Sequence, residues 1–332
     1  MKDIIFSDFG EKLCGPSGIN DLMDDLGKPL PKGIPLSLMG GGNPARIPEV
    51  EALYRQRMAG IMENGTEFED LIGRYDAPQG RIKFIEQIAE CLSGKYGWKI
   101  GPENIAVTNG SQSAFFYLFN MFSGTYTVNG KTVKKRIVFP LVPEYVGYAD
   151  QGIERGTFTG INADFEMYAD RTFKYKIDFP RLEKYLSSHD DTAALCVTRP
   201  TNPTGNVLTD DEITHLSELS KRYDIPLFID NAYGLPWPDI IFTDDAKPFW
   251  DENVILSMSL SKIGLPSLRT GIIIAQKGII KAISNLNAIA ALASGSVGQA
   301  LAGDLIRTGK LIEIAHTVVR PFYEKKSVQT QK

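Results

Sequence analysis

The sequence has few residues that could hold a metal ion or form disulfide bridges. Its 332 residues include only three cysteines (Cys14, Cys91 and Cys196) and three histidines. The cysteines are widely spaced and odd in number, without a Cys-x-x-Cys pair, which argues against a disulfide framework and a zinc site. This usage fits a reducing compartment, so we expect a cytoplasmic protein without a bound metal.

Long apolar runs and a strong net charge are also lacking. Apolar runs such as 271–275 have the length of a strand, and none approaches the roughly 20 residues that span a bilayer. The net charge is −4 at pH 7, so nothing in the total favours nucleic acid or an anionic membrane as a partner. Residues 1–8 do not resemble a signal peptide, because they are too acidic and their apolar stretch is too short.

The composition that remains is that of a globular protein, with 43% apolar and 23% charged residues. The length suits one large domain with a smaller one. The first fifty residues contain many prolines and the run Gly40–Gly42, and they predict irregular structure with one short helix at 19–26, after Ser17. A second helix is predicted at 48–63.

From about residue 81 the pattern alternates between helices and strands. Continuous apolar runs, rather than alternating ones, are typical of buried parallel strands. The predicted strands are 105–108, 136–139, 193–198, 227–230, 254–258 and 271–275, and helices are predicted at 81–96, 111–122, 210–223 and 310–332. This pattern predicts an α/β fold, a three-layer sandwich with a mostly parallel central sheet.

Polar residues follow three of these strands, where parallel sheets gather their ligands. Asn109–Gln112 follows the first strand and opens a helix, which could bind an anion through free N–H groups or could be an ordinary N-cap. Arg199–Asn206 contains two prolines and a glycine that fix the orientation of Asn202, or that simply make a rigid turn. Asp230–Tyr233 places a carboxylate where it could pair with a buried cation or cap a helix.

The segment Ser259–Gly271 follows the strand at 254–258 and contains Lys262. A single lysine is usually a surface residue, but this one stands among Ser, Gly and Leu without an acidic neighbour. Desolvation in such a setting would lower the pKa of its amine and make it nucleophilic. Arg269, seven residues further on, could supply a planar donor pair for a phosphate.

Together these segments meet the three demands of pyridoxal 5'-phosphate (PLP): an amine, an acid for the pyridine nitrogen and donors for the phosphate. Lys262 would form a Schiff base with the cofactor, and Asp230 would pair with the ring nitrogen. Tyr233 and Asn202 could hydrogen-bond the 3-oxygen, and Tyr145 could stack on the ring. The candidate phosphate-binding residues are Gly110, Ser111, Gln112, Ser259, Ser261 and Arg269.

The order of these motifs resembles the fold type I PLP-dependent aminotransferases. The motifs are Gly110–Gln112, Asn202–Gly205, Asp230–Tyr233 and Ser259–Lys262 with Arg269 and Gly271. Four further stretches resemble the branch of that family that exchanges amino groups between valine and pyruvate: Leu38–Pro44, Tyr75–Gly80, Thr108–Asn120 and Arg199–Asn206. The resemblance extends from about Phe6 to Tyr323.

The resemblance implies ping-pong exchange of amino groups between valine or alanine and their 2-oxo acids, through the Lys262 Schiff base. Lys262, Asp230 and Tyr233 would be the catalytic residues, and Gly41, Gly42 and Asn202 would lie by the substrate. It also implies a homodimer in which Tyr75 reaches the phosphate of the neighbouring subunit's cofactor.

The resemblance further implies a division of the chain into three parts. Residues 1–50 would be the N-terminal segment of a small domain, 51–309 the PLP-binding large domain, and 310–332 the start of a truncated, incomplete α+β small domain. Members of the family continue for several tens of residues and carry there an arginine that binds the substrate carboxylate. Arg320 lies too early to match it.

Three alternatives remain open at this stage. A lyase or decarboxylase could use the same cofactor site, because the orientation of the substrate about Cα decides the reaction. PLP-fold domains also occur in transcription regulators, but those carry an N-terminal DNA-binding domain, for which there is no room and no basic region before Gly40. A truncated, catalytically impaired remnant that still binds the cofactor is the third.

Overall fold

An eight-stranded sheet forms the centre of the computed structural model, which describes residues 5–28, 33 and 42–331. The strand order is β1-β10-β9-β8-β7-β3-β2, with β4 also paired to β3, and β5 and β6 form a separate hairpin. The strands are β1 (Ile105–Thr108), β2 (Gly124–Val128), β3 (Lys131–Val142), β4 (Phe158–Asn162), β5 (Asp164–Met167), β6 (Phe173–Lys176), β7 (Thr192–Thr198), β8 (Leu227–Asp230), β9 (Val254–Ser259) and β10 (Gly271–Ile274).

The sheet is mixed, with most of its strands parallel. Strands β4, β3, β7, β8 and β9 pair in parallel with one another, in that order. Strand β10 runs antiparallel to both β9 and β1, and β2 runs antiparallel to β3. The predicted α/β fold with a mostly parallel sheet is confirmed. The reversal of β10 was not predicted, because a strand covered on both faces is apolar throughout in either direction.

Helices cover both faces of the sheet. They are α1 (Asp8–Leu13), α2 (Gly18–Gly27), α3 (Pro48–Glu63), α4 (Glu67–Gly73), α5 (Ile82–Tyr96), α6 (Ser111–Phe122), α7 (Phe179–Ser188), α8 (Asp210–Arg222), α9 (Lys277–Ala291), α10 (Ser296–Arg307), α11 (Lys310–Ile314) and α12 (Arg320–Gln331). Local sequence sets several of their starts. Ser17 caps α2 through its hydroxyl, Pro48 opens α3, and Thr209 with Glu212 forms a capping box at α8.

Alternation along the buried strands divides the apolar residues between two cores. In β9, Leu256 packs into the core that contains α5, α8 and α10, whereas Ile255 packs into the core that contains α6 and α9. The same alternation holds in β10 for Ile272 and Ile273. Each strand therefore buries both faces, which is the arrangement of a three-layer sandwich.

Most predicted elements lie within one or two residues of the observed ones. The sequence did not individually predict α4, α7, α9, α10, β2, β4, β5 and β6, and three further differences concern predicted stretches. Strand β3 begins at Lys131 rather than at 136, because a charged edge hairpin with β2 extends it beyond its buried part. Helix α1 lies in the stretch predicted to be irregular. The helix predicted at 310–332 contains a π-helical turn at Ala315–Val319 between α11 and α12. No helix in the described ranges is long and apolar enough to cross a membrane.

Candidate active site

The carboxyl ends of β7, β8 and β9 bring the predicted polar residues to one edge of the sheet. Thr198 at the end of β7 pairs with Asp230 at the end of β8, and Asp230 pairs with Ser257 of β9. The segments that leave these strands carry Asn202, Tyr233 and Lys262. Parallel pairing therefore makes neighbours of residues that are far apart in sequence.

Asp230 is a buried carboxylate with two donors. The hydroxyl of Tyr148 donates to Oδ2 at 2.5 Å, and the N–H of Ala232 donates to Oδ1 at 2.9 Å. Burial raises the pKa of Asp230, while these two donors and the positive charge of Lys262 lower it. The carboxylate is thus held in one orientation beside the amine of Lys262.

Lys262 lies in the loop after β9 with its amine turned inward. Its Nζ donates to the carbonyl of Gly42 and lies 5.1 Å from the centre of the Tyr233 ring. Burial lowers the pKa of Lys262, the charge of Asp230 raises it, and that of Arg269 lowers it again. Burial also raises the pKa of Tyr233, to about 12. A desolvated amine of this kind is suited to nucleophilic attack and proton transfer.

A cradle of donors is formed by Gly110, Ser111, Ser259, Ser261 and Arg269. The N-cap of α6 is Gly110, whose φ of +86° favours glycine. The Nη1 of Arg269 lies 3.5 Å from Ser261 Oγ, and Ser259 Oγ accepts the N–H of Ser261 at 3.0 Å. A Cβ at Gly110 would overlap the guanidinium of Arg269. The start of α6 and this guanidinium therefore converge in the way that a bound phosphate requires.

Other predicted site residues surround this centre. The ring of Tyr145 meets that of Tyr148 edge-on at 5.2 Å, and Gln112 Nε2 donates to the carbonyl of Gly147 at 3.2 Å. Gln112 is thereby engaged with the loop that carries Tyr145. Asn202 lies in a turn closed by the N–H of Gly205 on the carbonyl of Thr201 at 2.8 Å.

Two further predicted residues stand apart from this description. Tyr75 is 85% exposed. Gly41 lies outside the residues that the structure describes, although Gly42, its neighbour, contacts Lys262.

A cavity of about 300 Å³ opens beside Lys262. Its apolar walls include Ile47, Val50, Ile263 and Val319. On one side it is bounded by Tyr323, whose Oη accepts the N–H of Ala45 at 2.8 Å. Helix α12 therefore contributes to the same cavity as the loop that carries the amine.

Comparisons with known proteins agree with this geometry. The family model of aminotransferase class I and II matches residues 69–323. This chain belongs to that family. It is 46% identical over 327 residues to the valine–pyruvate aminotransferase of Escherichia coli K12. The alignment covers 98% of this chain and 76% of that protein.

Two solved structures extend the comparison. A putative amino-acid aminotransferase from Psychrobacter arcticum 273-4 has a TM-score of 0.92 and 43% identity, over 98% of this chain and 77% of that one. The valine–pyruvate aminotransferase of Salmonella typhimurium LT2 has a TM-score of 0.81 and 43% identity, over 94% and 74% of the two chains. The chain is therefore a PLP-dependent aminotransferase with the predicted fold.

The donor set of this aminotransferase fits its cofactor. A buried carboxylate, a desolvated amine and a glycine-opened helix start with an arginine lie within one site, as PLP demands. The guanidinium of Arg269 occupies the space that a side chain at position 110 would need. The identity of residue 110 is thus explained by the close approach of the cradle.

Sequence reasoning missed three residues of the aminotransferase site: Tyr148, Thr198 and Glu144. The first donates to Asp230, and its Oη lies 3.4 Å from Thr198 Oγ1. Glu144 contacts Thr198 through both carboxylate oxygens. Their positions in the sequence could have revealed them, because Glu144 and Tyr148 follow β3 and Thr198 is the last residue of β7. In that loop, the sequence predicts a role only for Tyr145.

Proposed function

We propose that this aminotransferase exchanges amino groups between L-valine or L-alanine and their 2-oxo acids: valine + pyruvate = 3-methyl-2-oxobutanoate + alanine. The observation that carries the proposal is the desolvated Lys262 amine beside a cavity of about 300 Å³ whose walls include the aliphatic side chains of Ile47, Val50, Ile263 and Val319. Such walls suit a small branched side chain. The names of the relatives in Escherichia coli and Salmonella typhimurium support the same substrates.

The residues of the site divide into those that hold PLP and those that move protons. Asp230 would hold the ring nitrogen, with Tyr233 and Asn202 at the 3-oxygen and Tyr145 on the ring face. The phosphate would lie in the cradle of Gly110, Ser111, Ser259, Ser261 and Arg269, with Gln112 positioning the Tyr145 loop. When bound, the cofactor supplies an electron sink for the negative charge that develops at the substrate Cα.

Lys262 is the proposed general base and acid. Its Nζ would take the proton from the substrate Cα and deliver it to C4' of the cofactor, and in the second half-reaction it would carry a proton from C4' to the Cα of the new amino acid. The lowered pKa of Lys262 places that transfer nearer to neutral pH. The substrate carboxylate would lie near Gly42 and Asn202, with Gly41 adjoining them. The partly buried position of the amine limits its contact with solvent, which favours transfer over loss of the proton to water.

The surface around Tyr75 supports a homodimer. Ser296 Oγ donates to Asp76 at 2.6 Å, and Asn287 Nδ2 donates to the carbonyl of Pro78 at 2.7 Å. These bonds join the segment that carries the exposed Tyr75 to the segment that carries Ile289 and Leu292, which are 85% and 63% exposed. Exposed apolar residues on one surface mark an interaction site. In the proposed dimer, Tyr75 reaches the partner's phosphate cradle.

We also propose the division into residues 1–50 and 310–332 as parts of a small domain and 51–309 as the large domain. The contribution of both Ala45 and Tyr323 to one side of the cavity supports this grouping. The three cysteines are free, which supports a cytoplasmic protein.

The central experiment replaces Lys262 with alanine. We expect Lys262→Ala to lose the visible absorption of bound PLP and to lower kcat by about 10²–10⁴-fold, the usual contribution of a positioned general base. Lys277→Ala, at an exposed lysine paired with Glu103, is the control and should behave like the wild type. Turnover by Lys262→Ala at the wild-type rate would contradict the proposal.

Product analysis separates transfer from the other reactions. With the wild-type protein, adding valine or alanine should abolish the visible band of the bound cofactor and release the 2-oxo acid. Release of an amine instead would identify a decarboxylase. A band that valine and alanine leave unchanged would identify a protein that binds PLP without transferring amino groups.

A further inference from the structure

Glu144 belongs to the active site through Thr198 rather than through the cofactor. Its Oε1 accepts the N–H of Thr198 at 3.0 Å, and its Oε2 lies 2.6 Å from Thr198 Oγ1. The N–H of Tyr145 also points to Oε2, at 3.3 Å. Glu144 therefore joins the end of β7 to the loop after β3, next to the residue that is proposed to stack on the ring.

Thr198 connects this carboxyl group to Asp230. The Oγ1 of Thr198 lies 3.4 Å from Tyr148 Oη, and Tyr148 donates to Asp230 Oδ2 at 2.5 Å. The four side chains form a continuous line from Glu144 to Asp230. Both ends of that line are carboxyl groups, and its two middle members are hydroxyls that can each donate only one proton.

The count of protons shows how the charge of Glu144 affects this line. If Glu144 is ionised, the Thr198 hydroxyl donates to it, and Thr198 then faces Tyr148 with lone pairs only. If Glu144 is protonated, it donates to Thr198, Thr198 donates to Tyr148, and Tyr148 donates to an ionised Asp230. The second arrangement satisfies every member, and a hydroxyl that accepts a hydrogen bond is itself a better donor.

The surroundings of Glu144 favour its protonated form. The titratable groups that face it are Asp230, Tyr148 and Cys196. Each of them is either neutral or negatively charged, so none supplies a positive charge that would stabilise an ionised Glu144. Burial, the largest cause, together with the charge of Asp230 raises the pKa of Glu144 to about 8, although the donors at Thr198 and Tyr145 oppose this. Two carboxyl groups in one network resist being ionised together.

We propose that Glu144 is a positioning residue that stays protonated at neutral pH and heads an oriented hydrogen-bond chain, through Thr198 and Tyr148, that keeps Asp230 ionised toward the cofactor. This proposal rests on the PLP site described above. Ionisation of Glu144 at alkaline pH reverses the Thr198 hydroxyl and withdraws its support from Tyr148.

The first test observes Glu144 without the cofactor. Infrared difference spectra of the apoprotein, recorded from about pH 6 to pH 10, should show a protonated carboxylic C=O band that disappears as pH rises, and Glu144→Gln should lack it. An ionised Glu144 at neutral pH would overturn the proposal. Because this measurement needs no PLP, its outcome is independent of the proposed substrates and mechanism.

A second measurement on the apoprotein uses stability. The folded-state pKa of Glu144 is raised from 4.5 to about 8, so the folded protein holds a proton that the unfolded chain has lost. That contribution is fully present below 4.5 and is lost as pH rises through about 8. The urea midpoint of the wild type should therefore fall over this window relative to that of Glu144→Gln, and parallel pH profiles would count against a protonated Glu144.

The third test asks whether the hydrogen-bond chain from Glu144 to Asp230 passes through the hydroxyl of Thr198. The visible band of bound PLP should change with pH together with the infrared band in the wild type and in Thr198→Ser, which keeps the hydroxyl. In Thr198→Val, the infrared band should still titrate while the visible band no longer follows it. In Glu144→Gln, the visible band should lose the same transition. If the visible transition were unchanged in Thr198→Val or in Glu144→Gln, the proposed hydrogen-bond chain would be overturned.

Discussion

At the scale of single residues, burial determines the proton affinities of the site more than pairing does. Asp230 and Lys262 attract each other, yet the pKa of Asp230 is raised and that of Lys262 is lowered. Desolvation disfavours the charged form of each group and exceeds their mutual attraction. Each charge therefore depends on its hydrogen-bond donors or acceptors. Tyr148 is the side-chain donor that stabilises the ionised form of Asp230.

Tyr148→Phe tests that dependence. The substitution keeps the ring, which packs against Phe139 and Phe119, and removes the donor at 2.5 Å from Asp230. A hydrogen bond to a charged group contributes about 1.5–3 kcal/mol, so PLP affinity should fall by about ten- to a hundredfold. The measurement is the dissociation constant of PLP by absorbance titration.

The matched control is Tyr117→Phe. Tyr117 is also a buried tyrosine, and it lies in α6. It removes a hydroxyl that has no part in the proposed chain, and PLP affinity should stay close to that of the wild type. Equal losses in the two variants would indicate a general effect on packing. Unchanged affinity in Tyr148→Phe would remove Tyr148 from the support of Asp230.

At the scale of elements, the antiparallel strand β10 positions the start of α6. Gly271 opens β10, and a Cβ there would lie 2.5 Å from the carbonyl carbon of Gly110 and 2.7 Å from the N of Ser111. Both atoms are backbone, so they cannot move away as a side chain could. The strand and the helix therefore approach each other closely at the point where the helix N–H groups face the proposed phosphate site.

Gly271→Ala should push α6 away from the cradle. Forcing a methyl group into a packed site costs about 1–3 kcal/mol, so we expect the free energy of unfolding to fall by that amount and PLP affinity to fall with it. Urea unfolding of the apoprotein and absorbance titration with PLP measure the two effects.

Gly94→Ala is the control for the added methyl group. Gly94 lies on the exposed face of α5 with open space at the position of a Cβ. Alanine is favoured over glycine in a helix by about 1 kcal/mol, so this variant should be more stable and should bind PLP unchanged. If Gly271→Ala behaved in the same way, the close approach of β10 to α6 would have no role in the cradle.

At the scale of the whole molecule, the α/β fold with its mostly parallel sheet could be predicted from the sequence, and so could the polar residues at the ends of its buried strands, for a physical reason. Buried strands and the residues that follow them are local in sequence, so apolar runs ending in Asp230 or Ser259 can be recognised directly. The direction of β10 and the edge strand β2 depend on pairing between distant segments. The line from Glu144 through Thr198 and Tyr148 to Asp230 joins the segment after β3 to the ends of β7 and β8, and no local pattern encodes it.

The surface around Tyr75 also cannot be recognised from the sequence alone and becomes visible only in the folded chain. Tyr75 is far from Ile289 and Leu292 in sequence, and the hydrogen bonds Ser296–Asp76 and Asn287–Pro78 join the two segments that carry them. This surface borders the cradle, because the N–H of Gly295 donates to Asn109 Oδ1 at 3.4 Å, and the carbonyl of Asn109 lies 3.5 Å from Arg269 Nη2. In the proposed dimer, the partner subunit's Tyr75 would reach this side of the cradle.

Mixing inactive variants tests whether two chains share one site. Tyr75→Ala should lose a hydrogen bond to the phosphate, worth about 1.5–3 kcal/mol, and so be strongly impaired at limiting PLP. In a mixed dimer with Lys262→Ala, one site would combine Lys262 of one chain with Tyr75 of the other. Because random reassociation yields about half mixed dimers with one intact site each, about a quarter of the wild-type activity should return. Mixing Lys262→Ala with Asp230→Ala should restore none, since both residues belong to the same chain's part of the site. Restoration absent from the first mixture, with sedimentation showing that mixed dimers had formed, would place Tyr75 outside the partner's site.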